Sequence, residues 1–202
     1  MRKASRRQGF LRIIMRKQVK NEFVSFVGPM FGGKTTKLLS VVDRYKFQKR
    51  EIFAFKPNVD KRYREGSINT HWGGRLEAEL IDTAEDIYSF LYAHKALLDD
   101  NPVIAVDEAF MLPGSGVILP NLFKKGATIV VSTLQLSSDG SAFKEVERFL
   151  PYSTKIEVCP AVCSVCGSDA FYTKKIGGRD DHEIEVGGAE MYQPVCIDHF
   201  IY

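Results

Sequence analysis

The feature of this chain that most limits its possible folds is a glycine-rich segment that directly follows a short apolar run. The run at 23–27 predicts a buried strand, and residues 34–49, with apolar side chains at helical spacing, predict an amphipathic helix. Between them the chain reads Gly28-Pro29-Met30-Phe31-Gly32-Gly33-Lys34-Thr35, which matches the pattern G-x-x-x-x-G-K-[ST]. A strand, a glycine-rich turn and a helix in this order are typical of a loop that binds nucleotide phosphates.

The residue types of this phosphate loop suit the chemistry of a nucleoside triphosphate. Glycines allow successive main-chain N–H groups to point at phosphate oxygens, and the following helix adds its positive N-terminal end. Lys34 is placed to reach the β- and γ-phosphates, and the hydroxyl of Thr35 to bind Mg²⁺. The alternative is a glycine-rich turn with no ligand. The predicted cofactor-binding residues of the loop are Gly28, Pro29, Met30, Phe31, Gly32, Gly33, Lys34 and Thr35.

The chain up to about residue 158 predicts an α/β fold. It contains three more apolar runs of strand length, at 52–55, 103–106 and 128–131. Residues 83–98 predict a helix that begins with Thr83 as its N-cap, and the polar stretch 58–75 predicts a loop. Strands that alternate with helices indicate right-handed βαβ units, and apolar strands without alternation indicate a parallel sheet covered on both faces.

Two acidic residues follow the predicted strand 103–106. In a parallel sheet this position lies at the same edge as the phosphate loop, so Asp107 is predicted to help hold Mg²⁺. Glu108, one residue later, is predicted to accept a proton from a hydroxyl group or water. The alternative is an acidic helix start after a strand, which is common.

The C-terminal part of the chain carries a predicted zinc site. Two pairs with two-residue spacers, Cys163-x2-Cys166 and Cys196-x2-His199, are separated by 29 residues. Three thiolates and one imidazole complete a tetrahedral Zn²⁺ shell, so the site is predicted to be structural and closed. The alternative is a set of free buried cysteines with a surface histidine. Cys159 falls outside the spacing and is interpreted as an unliganded thiol.

The sequence also predicts the environment of the other histidines and the division of the chain into domains. The other histidines, His71, His94 and His182, are expected to be solvated rather than catalytic. After Pro151 the helical periodicity ends and the cysteines begin. We therefore expect a disordered basic extension over 1–20, a P-loop α/β domain over 21–158, and a zinc-binding lasso domain over 159–202.

Charge is distributed unevenly along the chain. Residues 1–20 contain eight Lys or Arg and no acidic residue. Removing those eight from the 28 basic residues of the chain leaves 20 against 25 acidic residues, so residues 21–202 carry a net charge of about −5. The basic extension is interpreted as a solvated tail, or as the result of a start codon placed before the true one at Met15. A nucleic-acid arm and a transit peptide are the alternatives.

Composition excludes several classes of protein. Hydrophobic residues make up 45% of the chain and charged residues 26%, as in globular domains rather than disordered or fibrous ones. No apolar stretch approaches the 18 residues of a membrane-spanning helix. Four cysteines are too few for a disulfide scaffold, and the acidic body disfavours a surface that coats nucleic acid.

The phosphate loop, the strand ending in Asp-Glu-Ala and the paired metal ligands together resemble the cellular-type (type II) thymidine kinases. Residues 28–34 are similar to the GPMFSGK loop of that family, and Lys56-Pro57-Asn58-Val59-Asp60-Lys61-Arg62-Tyr63 to its KPxxDxRY segment. The resemblance spans about residues 23–200. It also includes Thr70-His71, Cys163-Ser164-Val165-Cys166, Ala170-Phe171-Tyr172-Thr173-Lys174, and Glu185-Val186-Gly187-Gly188-Ala189 with Tyr192, Val195 and Cys196.

This resemblance implies a fold and a reaction. The fold is a RecA-like core with a zinc-anchored "lasso" loop over the nucleoside, and the reaction is transfer of the γ-phosphoryl of MgATP to the 5′-hydroxyl of thymidine. A cytoplasmic homotetramer, inhibition by thymidine triphosphate, and no membrane or nucleic-acid partner are also implied. Glu108 becomes the general base, and Asp60 and Arg62 lie near the phosphates. The implied nucleoside-binding residues are Met30, Phe143, Val186, Gly187, Gly188, Ala189 and Tyr192.

Three positions depart from the family pattern. Phe110 stands where the family has Gln, or that Gln is deleted; Gln135 replaces an Asp, and Ser138 replaces an aromatic residue. These replacements predict a looser site or a shifted preference among pyrimidine nucleosides. Two other functions remain open from sequence alone: a P-loop ATPase acting on nucleic acid, and a nucleoside-binding relative with weakened catalysis.

Overall fold

The computed structural model describes residues 20–60, 66–70, 73–94, 101–177 and 186–201. Its strands are β1 Phe23–Val27, β2 Ile52–Pro57, β3 Ser67–Asn69, β4 Arg75–Glu77, β5 Glu79–Ile81, β6 Val103–Val106, β7 Thr128–Thr133, β8 Lys155–Val158, β9 Ala161–Val162, β10 Asp169–Ala170, β11 Tyr172–Lys175 and β12 Tyr192–Val195. Its α-helices are α1 Lys34–Phe47, α2 Glu85–Ala93, α3 Ser115–Lys124, α4 Lys144–Phe149 and α5 Ile197–Ile201. The basic extension over 1–19, Arg62, His71 and His182 lie outside the described residues.

Six strands form one parallel sheet in the order β5-β2-β6-β7-β1-β8. The four strands predicted from apolar runs, β1, β2, β6 and β7, are its four central strands. Their residues are buried on both faces because helices or a hairpin cover each side, which is why these runs show no polar alternation. The predicted α/β fold with a parallel sheet is therefore confirmed.

Alternate residues of the central strands point to two separate cores. One core contains Phe55 and Val106 and packs against α2, α3 and α4. The other contains Ala54 and Ala105 and packs against α1 and the hairpin β3–β4. The sheet is thus the middle layer of three, and the edge formed by its strand carboxyl ends is where the loops of the site lie.

The stretch 58–75, predicted as a loop, contains secondary structure. β3 and β4 pair as an antiparallel hairpin, with Ile68 opposite Leu76, and both side chains are buried in the second core. Each strand has only three residues, so the apolar signal is one residue per strand. One apolar residue per strand is too few for hydrophobic periodicity to distinguish a strand from a polar loop.

The helix predicted to begin at Thr83 begins at Glu85, with Ala84 as its N-cap residue. The Asp86 carboxylate accepts hydrogen bonds from the main-chain N–H groups of Asp82, at 3.1 Å, and Thr83, at 2.9 Å. An acidic side chain inside the first turn therefore reaches back to main-chain donors that precede the helix, as the acidic member of a capping box does. The helix continues to Ala93, and residues 95–98 of the prediction lie outside the described part of the chain.

A small third cluster of buried residues lies beyond β8. It contains Ala161, Ala170 and Val195 together with two of the cysteines. The pairs β9–β10 and β11–β12 are separate from the main sheet. The division of the chain at about residue 158 stays a prediction. Among the described residues, no helix is both long and apolar enough to cross a membrane.

Candidate active site

The phosphate loop leaves the end of β1 and enters α1, as predicted. A Cβ atom added at Gly28 or at Gly32 would lie 2.3 Å from the carbonyl oxygen of Cys159. The Cys159 main chain is fixed in turn, since its N–H donates to the carbonyl of Val27 at 2.8 Å. These two glycines are therefore required by the close approach of two backbone segments, and they set the shape of the loop.

Lys34 and Thr35 open helix α1 on the inner side of this loop. The Lys34 side chain is buried, and its Nζ donates to the carbonyl of Pro29 at 2.6 Å. The ammonium group of Lys34 therefore contacts the main chain of its own phosphate loop. The Thr35 hydroxyl lies 3.1 Å from Oδ1 of Asp107, which ties the first turn of α1 to the end of β6.

Asp107 and Glu108 lie at the sheet edge beside the loop. Asp107 is buried and accepts hydrogen bonds from the hydroxyls of Thr35 and Ser132. Burial raises the pKa of Asp107 to about 6, and the charges of Glu108 and Asp60 act in the same direction. A cation bound here would offset this concentration of negative charge. The hydroxyl of Thr35 beside the carboxylate of Asp107 is a donor set of hard oxygens, which is what Mg²⁺ requires.

Asp60 is part of the same electrostatic environment. It pairs with Lys56, with 3.3 Å between Oδ2 and Nζ, and both side chains are buried. Its charge raises the pKa of Asp107, and the position of Asp60 near the phosphates, which the sequence resemblance implied, stays a prediction.

Four of the predicted nucleoside-binding residues share one core of the protein. Met30 and Phe143 belong to the first core, and Val186 and Tyr192 pack against that core. Gly188 and Ala189 belong to a turn before β12, in which the Gly188 carbonyl accepts the N–H groups of Met191 and Tyr192. That these side chains and this turn together bind the nucleoside stays a prediction.

The three departures from the family pattern lie on two separate segments of the chain. Phe110 is buried and its ring lies 4.6 Å from that of Phe143, centroid to centroid, at an interplanar angle of 43°. Gln135 and Ser138 are half-buried on the segment between β7 and α4. Phe110 thus extends the apolar wall that Phe143 provides.

The four predicted metal ligands form one cluster. The ligand atoms of Cys163, Cys166, Cys196 and His199 all lie within 4.8 Å of one another. The two sulfurs of Cys166 and Cys196 are 3.7 Å apart. A tetrahedral zinc site with Zn–S bonds of about 2.3 Å holds its sulfurs roughly 3.8 Å apart, so this cluster fits zinc. Cys159 is buried beneath the phosphate loop and is not a member of the cluster.

Comparison with known proteins gives a consistent result. The family model described as thymidine kinase matches residues 22–200. A thymidine kinase of Thermococcus kodakarensis is 34% identical over 180 residues, which cover 86% of this chain and 91% of that protein. A thymidine kinase of Pyrobaculum aerophilum is 31% identical over 183 residues, which cover 88% of this chain and 97% of that protein.

The chain belongs to the thymidine kinase family. The family predicted from the phosphate loop, the Asp-Glu-Ala strand end and the paired metal ligands is therefore confirmed. A solved structure also matches, that of the genome packaging NTPase B204 from Sulfolobus turreted icosahedral virus 2 in complex with sulfate. It covers 72% of this chain and 76% of that chain, with a TM-score of 0.45 and 14% identity, and the family assignment does not depend on it.

Two polar residues of this thymidine kinase family member were not identified from sequence. Ser132 contacts both acidic residues, and the hydroxyl of Thr173 on β11 accepts the N–H of Met30 at 3.0 Å. A sequence signal existed for Ser132, because it follows an apolar run that predicts a strand of the same sheet. No such signal existed for Thr173, because its position depends on how the C-terminal segment folds back onto the phosphate loop.

Proposed function

We propose that this protein transfers the γ-phosphoryl group of ATP to the 5′-hydroxyl of thymidine, giving thymidine monophosphate and ADP. The observation that carries the proposal is the contact of Thr35 with Asp107, next to Glu108. It occurs in a chain that matches the thymidine kinase family model over residues 22–200. Phosphoryl transfer requires little covalent chemistry from the protein. Positioning and neutralisation of charge are therefore what its residues must supply.

The phosphate loop and α1 supply the charge neutralisation. Main-chain N–H groups between Gly28 and Lys34 bind the phosphate oxygens, and the N-terminal end of α1 adds a favourable dipole. The Lys34 ammonium moves from the Pro29 carbonyl to the β- and γ-phosphates. Thr35 and Asp107 would hold Mg²⁺, which when bound neutralises charge on the transferring group.

Glu108 is the general base of the proposal. The 5′-hydroxyl of a nucleoside is a weak nucleophile and loses its proton as it attacks phosphorus. A carboxylate adjacent to the metal-holding Asp107 is in position to accept that proton. Met30, Phe143, Tyr192 and the turn at 186–189 hold the nucleoside with its 5′-hydroxyl toward this carboxylate.

The Cys₃His cluster has a structural role in the proposal. It would bind one Zn²⁺ with all four positions filled by protein, so no open position is left for chemistry. Because Cys166 and Cys196 flank the segment that includes the turn at 186–189, zinc would anchor both ends of the nucleoside-binding loop. The homotetramer and cytoplasmic location implied by the sequence resemblance stay predictions, and light scattering checks the former.

The direct test is a product assay. Purified protein is incubated with MgATP and, in turn, thymidine, deoxyuridine, deoxycytidine and a purine deoxynucleoside, and the monophosphate is quantified. We expect thymidine monophosphate as the main product, with measurable use of a second pyrimidine nucleoside because Phe110, Gln135 and Ser138 alter the pocket. ATP hydrolysis that depends on single-stranded DNA and not on a nucleoside would contradict the proposal.

A further inference from the structure

The hydroxyl of Ser132 connects both acidic residues of the site. Ser132 follows Val131 on β7, and Val131 pairs with Val106, the residue before Asp107 on β6. Its side chain is fully buried. The hydroxyl donates a hydrogen bond to Oδ1 of Asp107 and accepts the main-chain N–H of Glu108, with 3.3 Å between nitrogen and oxygen.

Thr133, the next residue of β7, also carries a hydroxyl group and serves as a comparison for Ser132. The Thr133 hydroxyl donates to the carbonyl of Leu134, its own neighbour along the chain, at 2.9 Å. That bond satisfies the hydroxyl locally and touches nothing on β6. Ser132 instead reaches across to the adjacent strand end, where its two partners are Asp107 and Glu108.

The backbone at Glu108 needs a support of this kind. Glu108 has φ 51° and ψ 45°, in the left-handed region that residues with a Cβ rarely adopt. Such a conformation persists only where surrounding contacts hold it. The hydrogen bond from the Glu108 N–H to Ser132 holds one side of the residue, and that from the Met111 N–H to the Glu108 carbonyl, at 3.0 Å, holds the other.

The two donors to Asp107 come from different elements. Thr35 is on α1, and in the proposed function its hydroxyl oxygen binds the metal ion. Ser132 is on a central strand, whose position is fixed by pairing on both sides. Ser132 therefore keeps the orientation of the carboxylate independent of the nucleotide-binding helix.

We propose that Ser132 is a positioning residue of the phosphoryl-transfer site, which orients Asp107 toward the metal ion and fixes the main chain of Glu108. The inference rests on the proposed function and deepens it. In this role Ser132 touches neither substrate and acts through the carboxylate of Asp107 and the main chain of Glu108.

The test measures metal binding without turnover. Affinity of Mn²⁺ for the complex of the protein with ADP is determined by electron paramagnetic resonance, for the wild type, Ser132→Ala and Ser132→Thr. The matched control is Ser25→Ala, which removes an equally buried hydroxyl from β1, where Ser25 contacts Ser153 at 2.7 Å. Thermal unfolding of each variant verifies that it is folded.

We expect Ser132→Ala to weaken Mn²⁺ binding about 10- to 100-fold, the usual effect of losing a partner of a metal ligand. Ser132→Thr, which keeps the hydroxyl, should restore most of that affinity, and Ser25→Ala should resemble the wild type. At saturating Mg²⁺, Ser132→Ala should still show a lower kcat with an unchanged KM for thymidine, because Glu108 has lost its support.

Equal Mn²⁺ affinity in folded Ser132→Ala and wild type overturns the inference, as does equal weakening by Ser25→Ala. If Ser132→Ala does not fold, Ser132→Cys takes its place, since a thiol is a weak donor of similar size, and wild-type affinity in that variant overturns the inference. The two proposals fail separately. A wild type that binds Mn²⁺·ADP in a Ser132-dependent way but makes no thymidine monophosphate removes the proposed function and leaves the metal-orienting role of Ser132.

Discussion

At the scale of single residues, the site depends on where a few charges are held. Lys34 is buried, and its ammonium group donates a hydrogen bond to the Pro29 carbonyl of its own loop. In the proposed function this ammonium exchanges the Pro29 carbonyl for phosphate oxygens when a nucleotide binds, and its charge then offsets that of the transferring group.

Replacing Lys34 by Ala should therefore remove activity without unfolding the protein. We predict a loss of turnover of at least about a hundredfold, the usual effect of removing one key electrostatic contact. The matched control is Lys37→Ala, which removes a lysine of the same helix whose half-exposed side chain pairs with Glu157 at 2.9 Å. Steady-state kinetics and circular dichroism measure both effects. Near-normal turnover in folded Lys34→Ala would contradict the phosphate-loop assignment.

Glu108→Gln separates proton acceptance from metal binding. The amide keeps the shape of the side chain but cannot accept a proton, so turnover should fall about 10²- to 10⁴-fold while thymidine binding is kept. The measurement is kcat as a function of Mg²⁺, beside calorimetric binding of thymidine. If high Mg²⁺ restored wild-type turnover, Glu108 would be a metal-shell residue and not the base.

The identities of the charged residues of the site were predictable from sequence, and their support was not. Lys34, Thr35, Asp107 and Glu108 follow from a loop pattern and a strand end, because parallel strands bring their carboxyl ends to one edge. Ser132 and Thr173 act through single hydroxyl groups whose partners are 24 to 143 residues away in the chain. The position of Ser132 at the end of a predicted strand was readable from sequence, but no local pattern encodes the pairing of either hydroxyl with its distant partners.

At the scale of elements, the strength of the local apolar signal decided which elements could be predicted. The strands β1, β2, β6 and β7 are buried on both faces and appear as continuous apolar runs. The edge strand β8 is mostly exposed and was missed, as was the hairpin β3–β4 with its three-residue strands. The N-cap of α2 is Ala84, one residue after the predicted Thr83, and the Thr83 N–H donates to the carboxylate of Asp86.

Asp86→Ala tests this cap. The carboxylate accepts three hydrogen bonds, from the N–H groups of Asp82 and Thr83 and from the Thr83 hydroxyl, so its loss should cost about 1 kcal/mol of unfolding free energy at pH 7. Asp86→Asn keeps a carbonyl acceptor and should lose less. Urea denaturation measures both variants.

The same substitution has a pH dependence of known sign. The hydrogen bonds to Thr83 lower the pKa of Asp86 below its ordinary value. A lowered native pKa gives stability that is present above the unfolded pKa of about 3.9 and is lost as pH falls through the native value. The difference in stability between wild type and Asp86→Ala should therefore disappear in acid. A constant difference from pH 7 to acid would show that the Asp86 charge is not responsible.

At the scale of the whole molecule, the C-terminal segment and the phosphate loop are joined at two places. The Cys159 carbonyl packs against Gly28 and Gly32, and the Thr173 hydroxyl accepts the Met30 N–H. Both contacts come from the part of the chain that leads into or follows the first pair of metal ligands. The sequence resemblance implied a zinc-anchored loop over the nucleoside, but no pattern in the sequence predicted these two contacts with the phosphate loop.

This connection makes a prediction for zinc removal. Wild-type protein should contain about one Zn²⁺ per chain, and Cys166→Ser should lose it, because a hydroxyl is a poor replacement for a thiolate in a tetrahedral Cys₃His shell. Cys159→Ser is the matched control, because that thiol is outside the cluster.

The KM for thymidine should rise at least about tenfold in Cys166→Ser, which corresponds to ~1.4 kcal/mol of lost loop ordering. Protection of the Met30 amide from hydrogen exchange should also decrease, since its acceptor is on β11. Metal analysis, kinetics and exchange mass spectrometry measure these three effects. Zinc-free Cys166→Ser with a fully protected Met30 amide would show that the phosphate loop is held independently of the metal cluster.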